Sequence, residues 1–567
     1  MRGSSGVFTS VCIMRFLSSS LRCIGVKGQL HAVMREACGQ PSGTFQEDCV
    51  LRTTQSPVAA SKRIMSNSSR ILRYVLPSAS ALLLLLAPAR SLAQMVTAPL
   101  PQFTAIEHVR LIDGTGRPPQ SNVTVVVEGQ HIQAIRASTP DARSLPPGTR
   151  AIDASGQTMI PGLINAHGHL ALVNGAANDA SYYTEPHVLA ELRQYEHYGV
   201  LDMLSLGLNR DLIYLIRAQQ TAGNLDGATV FVADRGIGVP GGAPPIPHAD
   251  DQLYAPKNAD EARRDVDEAA SRHTNFIKVW VDDLHGKLPK MQPEIYAAVI
   301  DEAHKQHVPV AAHVYALADA KLLVAAGVDV LGHSVRDQRV DPELIQAMKK
   351  HGTFYIPTLE LDATFFLFAD HPELLNDPFL IRATPAAELA KLRSPGYKAS
   401  VDSDPTIAQH RKDLEMAKTN LRLMYRAGVR VGFGTDSGAT PLRLPGYAEH
   451  LELQLMVEAG LTPLEALHCA TQNNAKLLGI DMQTGTVAPG LRANFLLLDG
   501  SPAADIANTR RIVSIWHNGH AGSPWTTVAQ QDAYKASAAN THAPDVAGAT
   551  AMQTKRRPGT SAAAPKP

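Results

Sequence analysis

The sequence shows no excess of charge of either sign. Its 53 Lys and Arg residues balance 53 Asp and Glu residues, so the formal net charge is +0. A nucleic-acid-binding protein usually carries a basic excess, so the composition argues against that class. Aromatic residues make up only 5% of the chain, yet 44% of residues are hydrophobic, which is ordinary for a globular protein. The 567 residues allow one large domain with accessories, or two to three domains.

Cysteine is scarce beyond the first tenth of the chain. Four of the five cysteines precede Met65, and they are Cys12, Cys23, Cys38 and Cys49. Only Cys469 follows Met65, so that part of the chain has no internal cysteine pair to form a disulfide. Cys469 lies in a helical pattern, and we expect it to be a small buried residue.

The sequence also has no apolar run of the about 20 residues that a membrane-spanning helix needs. Its most apolar stretch, 75–87, is preceded by Arg70 and Arg73 and followed by the small residues at 91–93. These are the features of a secretory signal peptide. We therefore expect residues 65–93 to be a signal peptide, the protein to be secreted or periplasmic, and no stable membrane anchor.

A signal peptide at 65–93 leaves residues 1–64 to be explained. The simplest interpretation is that translation starts at Met65 and that 1–64 is a mis-assigned upstream segment. A transit peptide is the alternative, because residues 1–35 contain no Asp or Glu.

Both ends of the remaining chain have the pattern of β-strands. The runs at 123–127 and 131–135 are rich in β-branched residues and are joined by a turn at 128–130. Similar runs return at 495–498 and 511–516. We expect residues 94–157 and 483–520 to form one small β-sandwich domain from both chain ends.

Between these ends, short apolar strands alternate regularly with helical patterns. Such alternation predicts a parallel α/β sheet with crossover helices, and eight units are the number found in a (β/α)8 TIM barrel. We therefore predict a TIM barrel over residues 158–482. The predicted strands are 158–164, 201–204, 229–233, 276–281, 308–312, 328–331, 353–357 and 429–433.

Two segments interrupt this pattern. Residues 360–407 form a long insertion after the seventh strand, which is a candidate lid over the barrel or, equally, a surface excursion with its own small core. Residues 521–567 are rich in Ala, Thr and Pro, and we predict a disordered tail there.

The first predicted barrel strand ends in two histidines, His167 and His169, separated by one residue. Side chains at i and i+2 of a strand point to the same face. Two neutral imidazoles on one face suit a divalent transition metal such as zinc. The pair is weak evidence taken alone.

Polar residues also stand at or near the ends of four later strands: Lys278, His313, His333 and Asp436. Each one alone is more simply a structural residue, for example a hydrogen-bonded histidine or a turn aspartate. Active sites in TIM barrels lie at the carboxyl ends of the strands. Six such residues at one end of the barrel therefore favour a metal site.

In these residues the sequence resembles the metal-dependent amidohydrolase superfamily, and in particular its imidazolonepropionase-like and Xaa-Pro dipeptidase-like members. The segments 161–164 and 485–490 are also typical of that group. The resemblance covers roughly residues 103–519. Two positions depart from the pattern: Asn165 stands where the family often has Asp, and Asn494 where Ala-Asp is common.

The resemblance implies a role for each of the six residues. Four histidines (His167, His169, His313 and His333) and Asp436 would bind two divalent metal ions, with zinc expected. Lys278 would be carboxylated by CO2 and bridge the metals. A hydroxide bridging the metals would attack an amide or peptide-like C–N bond, with Asp436 as the catalytic base and then acid.

The substrate is much less defined by the sequence. Tyr315 and Arg336 are candidate substrate-binding residues, because a phenol and a guanidinium can both bind a carboxylate. We expect a small-molecule substrate and, first, a dipeptidase or N-acyl amino acid hydrolase. A cyclic-amide, lactone or carbamate hydrolase is the alternative within this class, and a metal-free binding barrel is the alternative outside it. The pattern leaves a homo-oligomer open.

Overall fold

The computed structural model describes residues 103–139 and 145–524, which belong to one compact unit, Leu92–Pro567. The predicted upstream segment 1–64, the signal peptide at 65–93 and the tail beyond residue 524 lie outside the described residues and stay predictions. Within the described part of the chain, no helix combines the length and apolar character needed to cross a bilayer.

The strands of the described residues fall into three larger sheets and one small hairpin. In chain order they are β1 (Phe103–Leu111), β2 (Gln120–Glu128), β3 (His131–Ala137), β4 (Arg150–Asp153), β5 (Thr158–Pro161), β6 (Leu163–Gly168), β7 (Val173–Asn174), β8 (Ala177–Asn178), β9 (Val200–Ser205), β10 (Thr229–Val232), β11 (Ile277–Val281), β12 (Val310–Val314), β13 (Val330–Gly332), β14 (Phe354–Ile356), β15 (Arg430–Val431), β16 (Phe495–Leu498), β17 (Ile512–His517) and β18 (His520–Gly522).

The α-helices lie between β8 and β16. They are α1 (Glu185–His197), α2 (Leu212–Thr221), α3 (Ala259–Ser271), α4 (Pro293–Lys305), α5 (Leu317–Ala325), α6 (Pro342–His351), α7 (Glu360–Ala363), α8 (Leu367–Asp370), α9 (Pro378–Ala383), α10 (Ala386–Leu392), α11 (Pro395–Ser403), α12 (Ile407–Arg426), α13 (Tyr447–Glu458), α14 (Pro463–His468) and α15 (Asn474–Leu477).

The first sheet contains strands from both ends of the described chain. Its order is β18-β17-β16-β5-β1-β2-β3, with β4 parallel to β1. Phe495 and Trp516 stack in its core with ring centroids 5.2 Å apart, beside the buried Val125. The strands form one hydrogen-bonded sheet of eight strands, and the β-sandwich expected here stays a prediction.

Eight parallel strands, each followed by a helical segment, make up two further sheets. The strands β10-β9-β6 form one sheet and β11-β12-β13-β14-β15 the other. Backbone contacts connect the sheets on both sides: Ile237 bridges to Val279, and the Ala166 amide donates to the Phe433 carbonyl over 3.0 Å. The fold class is therefore α/β, as predicted.

The single strand predicted over 158–164 is wrong. Residues Thr158–Pro161 pair antiparallel with β16 in the first sheet, whereas Leu163–Gly168 pair in parallel with β9. The break falls at Gly162, where an added Cβ would lie 2.4 Å from Cδ1 of Leu201. Close packing at this glycine lets the chain pass from one sheet to the other.

The insertion at 360–407 is helical and contains α7 to α11. Its apolar residues Phe368, Leu380 and Leu392 are buried in the same cluster as the parallel strands. The insertion is thus attached to the body by continuous packing and has no separate core, contrary to the second interpretation. Opening and closing of this segment as a lid stays a prediction.

The contact between the N-terminal and C-terminal strands of the first sheet can be tested at Gly519. Gly519 and Gly490 both have positive φ, where an alanine costs about 1–3 kcal/mol. An added Cβ would meet only open space at Gly490, but at Gly519 it would lie 2.1 Å from the Gly129 carbonyl oxygen. We expect Gly519→Ala to lower the thermal unfolding midpoint clearly more than the control Gly490→Ala. Equal effects would contradict this contact between the chain ends.

Candidate metal centre

Five of the six predicted ligands lie together at the carboxyl ends of parallel strands. The sixth, Lys278, is in β11, and its Nζ lies beside His167. His167 is in β6 and His169 follows its end, while His333 and Asp436 follow β13 and β15. His313 is the fourth residue of β12. His167, Lys278 and His333 are almost completely buried, and Asp436 is 7% exposed.

Asp436 lies between His167 and His169. Its Oδ1 is 3.2 Å from Nε2 of His167 and 3.0 Å from Nε2 of His169, and its Oδ2 accepts a bond from Arg443. Burial opposes the charged form of Asp436, but Arg443 and the two histidines outweigh it and hold the pKa of Asp436 well below its usual range. The carboxylate is therefore ionised and available as a base or ligand.

Lys278 is a wholly buried amine without an acidic partner. Its Nζ lies 3.4 Å from Nε2 of His167, and within the described residues no carboxylate comes within ion-pairing distance. Burial, opposed by the charge of Asp436, lowers the pKa of Lys278 to about 7. A substantial neutral fraction thus exists near neutral pH, and only a neutral amine can react with CO2.

His313 and His333 each use one ring nitrogen outside the centre. A carboxylate oxygen of Asp282 lies 3.0 Å from Nε2 of His313, and the Thr358 hydroxyl lies 2.8 Å from Nδ1 of His333. Such contacts fix ring orientation and leave the other nitrogen to a metal. The two rings are in edge contact, with centroids 4.4 Å apart.

The donor atoms fit a metal ion. Ligand atoms of His167, His333 and Asp436 lie within 4.8 Å of one another. Burial lowers the pKa of His167 to about 3 and that of His333 well below its usual value, so both imidazoles are neutral, as metal binding requires. Imidazole and carboxylate donors suit a divalent transition metal.

The backbone at two of these residues adopts an uncommon conformation. His333 has φ of 111° and Asp436 has φ of 67°, although neither is glycine. The Asp436 amide donates to the His167 carbonyl over 2.7 Å, and the His333 amide donates to the Ile356 carbonyl over 3.0 Å. Neighbouring strands thus hold both residues in place against local strain, as is common at functional sites.

Two residues near the centre were missed by sequence reasoning. Arg443, which bonds Asp436, lies seven residues away in an irregular loop with no recognisable pattern. Glu449, in α13, accepts bonds from Asn165, Thr435 and Ser437 at 2.6, 2.8 and 2.7 Å. Asn165 also accepts a hydrogen bond from the His167 amide over 2.8 Å. Asparagine, unlike the aspartate that the family often has here, can donate to the buried Glu449 carboxylate.

Tyr315 and Arg336 lie together, with the Arg336 guanidinium 5.1 Å from the Tyr315 ring centroid. Both are already bonded to carboxylates of the insertion and α12. Tyr315 donates to Asp413 over 3.0 Å, and Arg336 donates to Asp362 over 3.2 Å. Asp362, Asp413 and His410 form a second compact group of donor atoms. Substrate binding by Tyr315 and Arg336 stays a prediction.

Comparison with known proteins identifies the family. A model of the amidohydrolase family matches residues 158–522, which is more than half of the chain. The chain belongs to the amidohydrolase family. The amidohydrolase is 28% identical to the ochratoxinase of Aspergillus niger over 271 residues, covering 46% of this chain and 48% of that protein. The match spans about half the length of this curated relative.

Solved structures agree with the family resemblance. A putative prolidase from Bifidobacterium longum has a TM-score of 0.60 and 25% identity, covering 78% of this chain and 100% of that chain. A Xaa-Pro dipeptidase with bound methionine has a TM-score of 0.59 over 74% of this chain and 100% of that chain. At 20% identity, the second comparison shows the fold alone.

The pairing of Asn165 with Glu449 predicts a specific incompatibility. Asn165→Asp would place two carboxyl groups in contact inside the protein, and we expect a destabilisation on the order of 3 kcal/mol near neutral pH. Burial already raises the pKa of Glu449. A carboxyl whose folded pKa is raised loses its stabilising effect as pH rises, so the deficit should grow from mildly acidic to alkaline pH.

Thermal unfolding across this pH range would measure the deficit. The double variant Asn165→Asp, Glu449→Gln restores one donor and one acceptor and should recover most of the stability. If the double variant is as unstable as the single one, Glu449 is not the partner that makes asparagine necessary.

Proposed function

We propose that this amidohydrolase is a metal-dependent hydrolase of amide or peptide-like C–N bonds in small molecules. The observation that carries the proposal is the convergence of the four histidines and Asp436, with Lys278 beside His167, in one centre at the strand ends. Membership of the family and similarity to proteins named ochratoxinase and prolidase support hydrolysis as the reaction class.

We propose further that the two parallel sheets are the halves of one (β/α)8 barrel. The support is that hydrogen bonds join β6 to the segment after β15 and the segment after β10 to β11. All eight strands are parallel to their neighbours. Closure of the sheet would place all six candidate ligands on one rim.

In this proposal, four histidines, Asp436 and carboxylated Lys278 would hold two divalent ions, with zinc expected. Such ions would supply Lewis acidity toward a carbonyl oxygen and would lower the pKa of water. As an ammonium cation, Lys278 would have no carboxylate partner. Carboxylation would replace this cation by an anion, which metal cations bound by the imidazoles would stabilise. The lowered pKa of Lys278 supports this step, because the neutral amine is the reactive form.

Asp436 would transfer the proton. Its Oδ1 faces His167 and His169, while Arg443 holds Oδ2. Arg443 thereby fixes Oδ2, while Oδ1 points toward the centre. That Oδ1 would accept the proton of the attacking water and donate it to the leaving nitrogen.

A dipeptidase or N-acyl amino acid hydrolase remains the first proposal for the substrate class. The adjacent Tyr315 and Arg336 support it, since they offer a hydroxyl and a guanidinium together, and the charge of Arg336 acts on the Asp282 that contacts His313. Their present bonds to Asp413 and Asp362 would have to be exchanged for a substrate carboxylate. Hydrolysis of a cyclic amide, lactone or carbamate is the alternative that the same screen would detect.

The proposal predicts that Lys278 and Asp436 contribute differently. After loading with zinc, manganese or cobalt, the wild-type protein should bind up to two metal ions and hydrolyse members of a panel of dipeptides, N-acyl amino acids, cyclic amides, carbamates and lactones. Lys278→Ala should lose metal and activity together. Asp436→Asn should lower kcat by about 10²–10⁴-fold while retaining more metal than Lys278→Ala.

Elemental analysis and steady-state kinetics would measure these effects, with Lys305→Ala as a control at an exposed lysine. Removal of metal by a chelator should abolish hydrolysis, and metal addition should restore it. A Lys278→Ala protein with full metal content and activity would overturn the mechanism. A wild-type protein that binds less than one metal per chain would favour the metal-free binding barrel.

A further inference from the structure

A cavity of about 770 Å³ lies at the amino-terminal halves of β9 and β10, beside β17 and β18 of the first sheet. Asp202, the third residue of β9, and Thr229, the first residue of β10, line it together with His517 of β17. None of the six candidate ligands is among the described residues that line it. The cavity is therefore a concave site separate from the candidate metal centre, which lies at the carboxyl ends of the strands.

Two of the three described carboxylates that line this cavity are already paired. An oxygen of Glu196 lies 2.7 Å from Nδ1 of His517, and Asp226 accepts a hydrogen bond from Arg193 over 2.6 Å. The third carboxylate is that of Asp202, with which no Lys, Arg or His of the described residues forms an ion pair. Asp202 is thus the cavity carboxylate that lacks a cation.

Asp202 is only 4% exposed, and it lines the cavity, so its accessible surface faces the cavity. Neither of its oxygens is both cut off from solvent and without a hydrogen bond. Burial raises the pKa of Asp202 to about 6, although the charges of His517 and Arg492 and a hydrogen bond from Thr229 oppose this shift. The carboxylate is therefore poorly stabilised by the protein, and a cationic group in the cavity would stabilise it.

A positive charge lies near Asp202 without pairing with it. Arg492 also lines the cavity, and its charge acts on Asp202 although no ion pair joins the two side chains. Its guanidinium makes one long hydrogen bond, from Nη1 to Oδ1 of Asn518 over 3.4 Å, and pairs with no carboxylate of the described residues. A guanidinium has several N–H donors in one plane, so Arg492 retains donors for the carboxylate of a ligand.

These two side chains define the chemistry of a ligand. A carboxylate and a guanidinium that line one cavity without touching each other match a molecule that carries both an ammonium group and a carboxylate. Free amino acids and short peptides have this pair of charges a few ångströms apart. Hydrogen bonds between charged groups are the strong ones in protein sites. Gln130 and Gln483 add amide groups to the walls, which favours a ligand with a polar side chain.

We propose that this cavity binds a free amino acid or a short polar peptide, with its ammonium group on Asp202 and its carboxylate on Arg492. The inference goes beyond the proposed function, because this site contributes no group to the candidate centre and does not depend on hydrolysis. A bound amino acid would connect β9 to the segment before β16 that carries Arg492. It should therefore stabilise the folded protein as well as occupy the cavity.

Calorimetric titration of the full chain with L-glutamine and two analogues tests the inference. Glutaramic acid lacks the ammonium group of glutamine, and 4-aminobutanamide lacks its carboxylate. We expect L-glutamine to bind at least about tenfold more tightly than either analogue, because each analogue leaves one charged side chain of the cavity without its partner. Equal affinities for the three compounds, or no measurable binding of L-glutamine, would overturn the proposal.

Two variants assign each charge of the ligand to its partner. Asp202→Asn should weaken L-glutamine binding by about tenfold and leave glutaramic acid binding unchanged, since that compound has no ammonium group. Arg492→Gln should weaken L-glutamine binding similarly and leave 4-aminobutanamide binding unchanged. Because burial disfavours the charge of Asp202, we expect Asp202→Asn to fold with an undiminished melting temperature. Wild-type affinity for L-glutamine in both variants would refute the assignment.

Asp226→Asn is the matched control for Asp202→Asn. Asp226 also lines the cavity, but it is largely exposed and Arg193 already neutralises it. This variant should bind L-glutamine as the wild-type protein does. A loss as large as that of Asp202→Asn would mean that the cavity responds to total charge and not to a contact at Asp202, and would contradict the proposed position of the ammonium group.

An amino acid can also bind a metal ion through its amino and carboxylate groups, so the titration should be repeated after treatment with a chelator. Unchanged affinity in folded, metal-free protein would support the cavity. Loss of binding on metal removal, together with normal binding by Asp202→Asn, would place the amino acid at the candidate centre and overturn the inference. A protein that hydrolyses no amide but binds L-glutamine through Asp202 would support the cavity and refute the proposed reaction.

Discussion

The structure around the candidate centre depends on the burial of Lys278 without a carboxylate to neutralise it. A buried amine loses its hydration, and loss of the proton is the first response, as the lowered pKa of Lys278 shows. The surrounding histidines supply no negative charge to neutralise an ammonium group, and burial lowers their pKa so that they are neutral too. The centre thus concentrates neutral nitrogen donors and one ionised aspartate. Burial of so many polar groups is unfavourable in a protein core, but the same groups suit a metal ion. The proposal of carboxylation and metal binding follows from this imbalance of charge.

A second layer of contacts keeps the donors in position. Thr358 and Asp282 each contact one ring nitrogen of His333 and His313. Glu449 ties Asn165 to the hydroxyls flanking Asp436, and Arg443 holds the outer oxygen of Asp436. Loss of any one contact leaves a buried polar group unpaired, so the network is expected to respond as a unit.

Much of the fold could be predicted from local pattern. Seven of the eight apolar runs form strands where the alternation placed them, with ends shifted by a few residues, because burial of a short strand needs only a short apolar sequence. The division of 158–164 could not be predicted, since it depends on Leu201 packing against Gly162 and on β16 pairing with β5. Likewise, burial of the insertion at 360–407 depends on surfaces contributed by distant helices. Pairing and packing across long sequence separations leave no periodic signal.

The sequence by itself determined the α/β class, the six candidate ligands and their order along the chain, because residue type and position relative to a strand end are local properties. Only the tertiary structure decided which of those side chains meet, which nitrogen of His313 and His333 is engaged elsewhere, and that carboxylates already contact Tyr315 and Arg336. It alone brought Arg443 into contact with Asp436. These are contacts between residues far apart in sequence, and their energies depend on burial and distance, which exist only once the chain has folded.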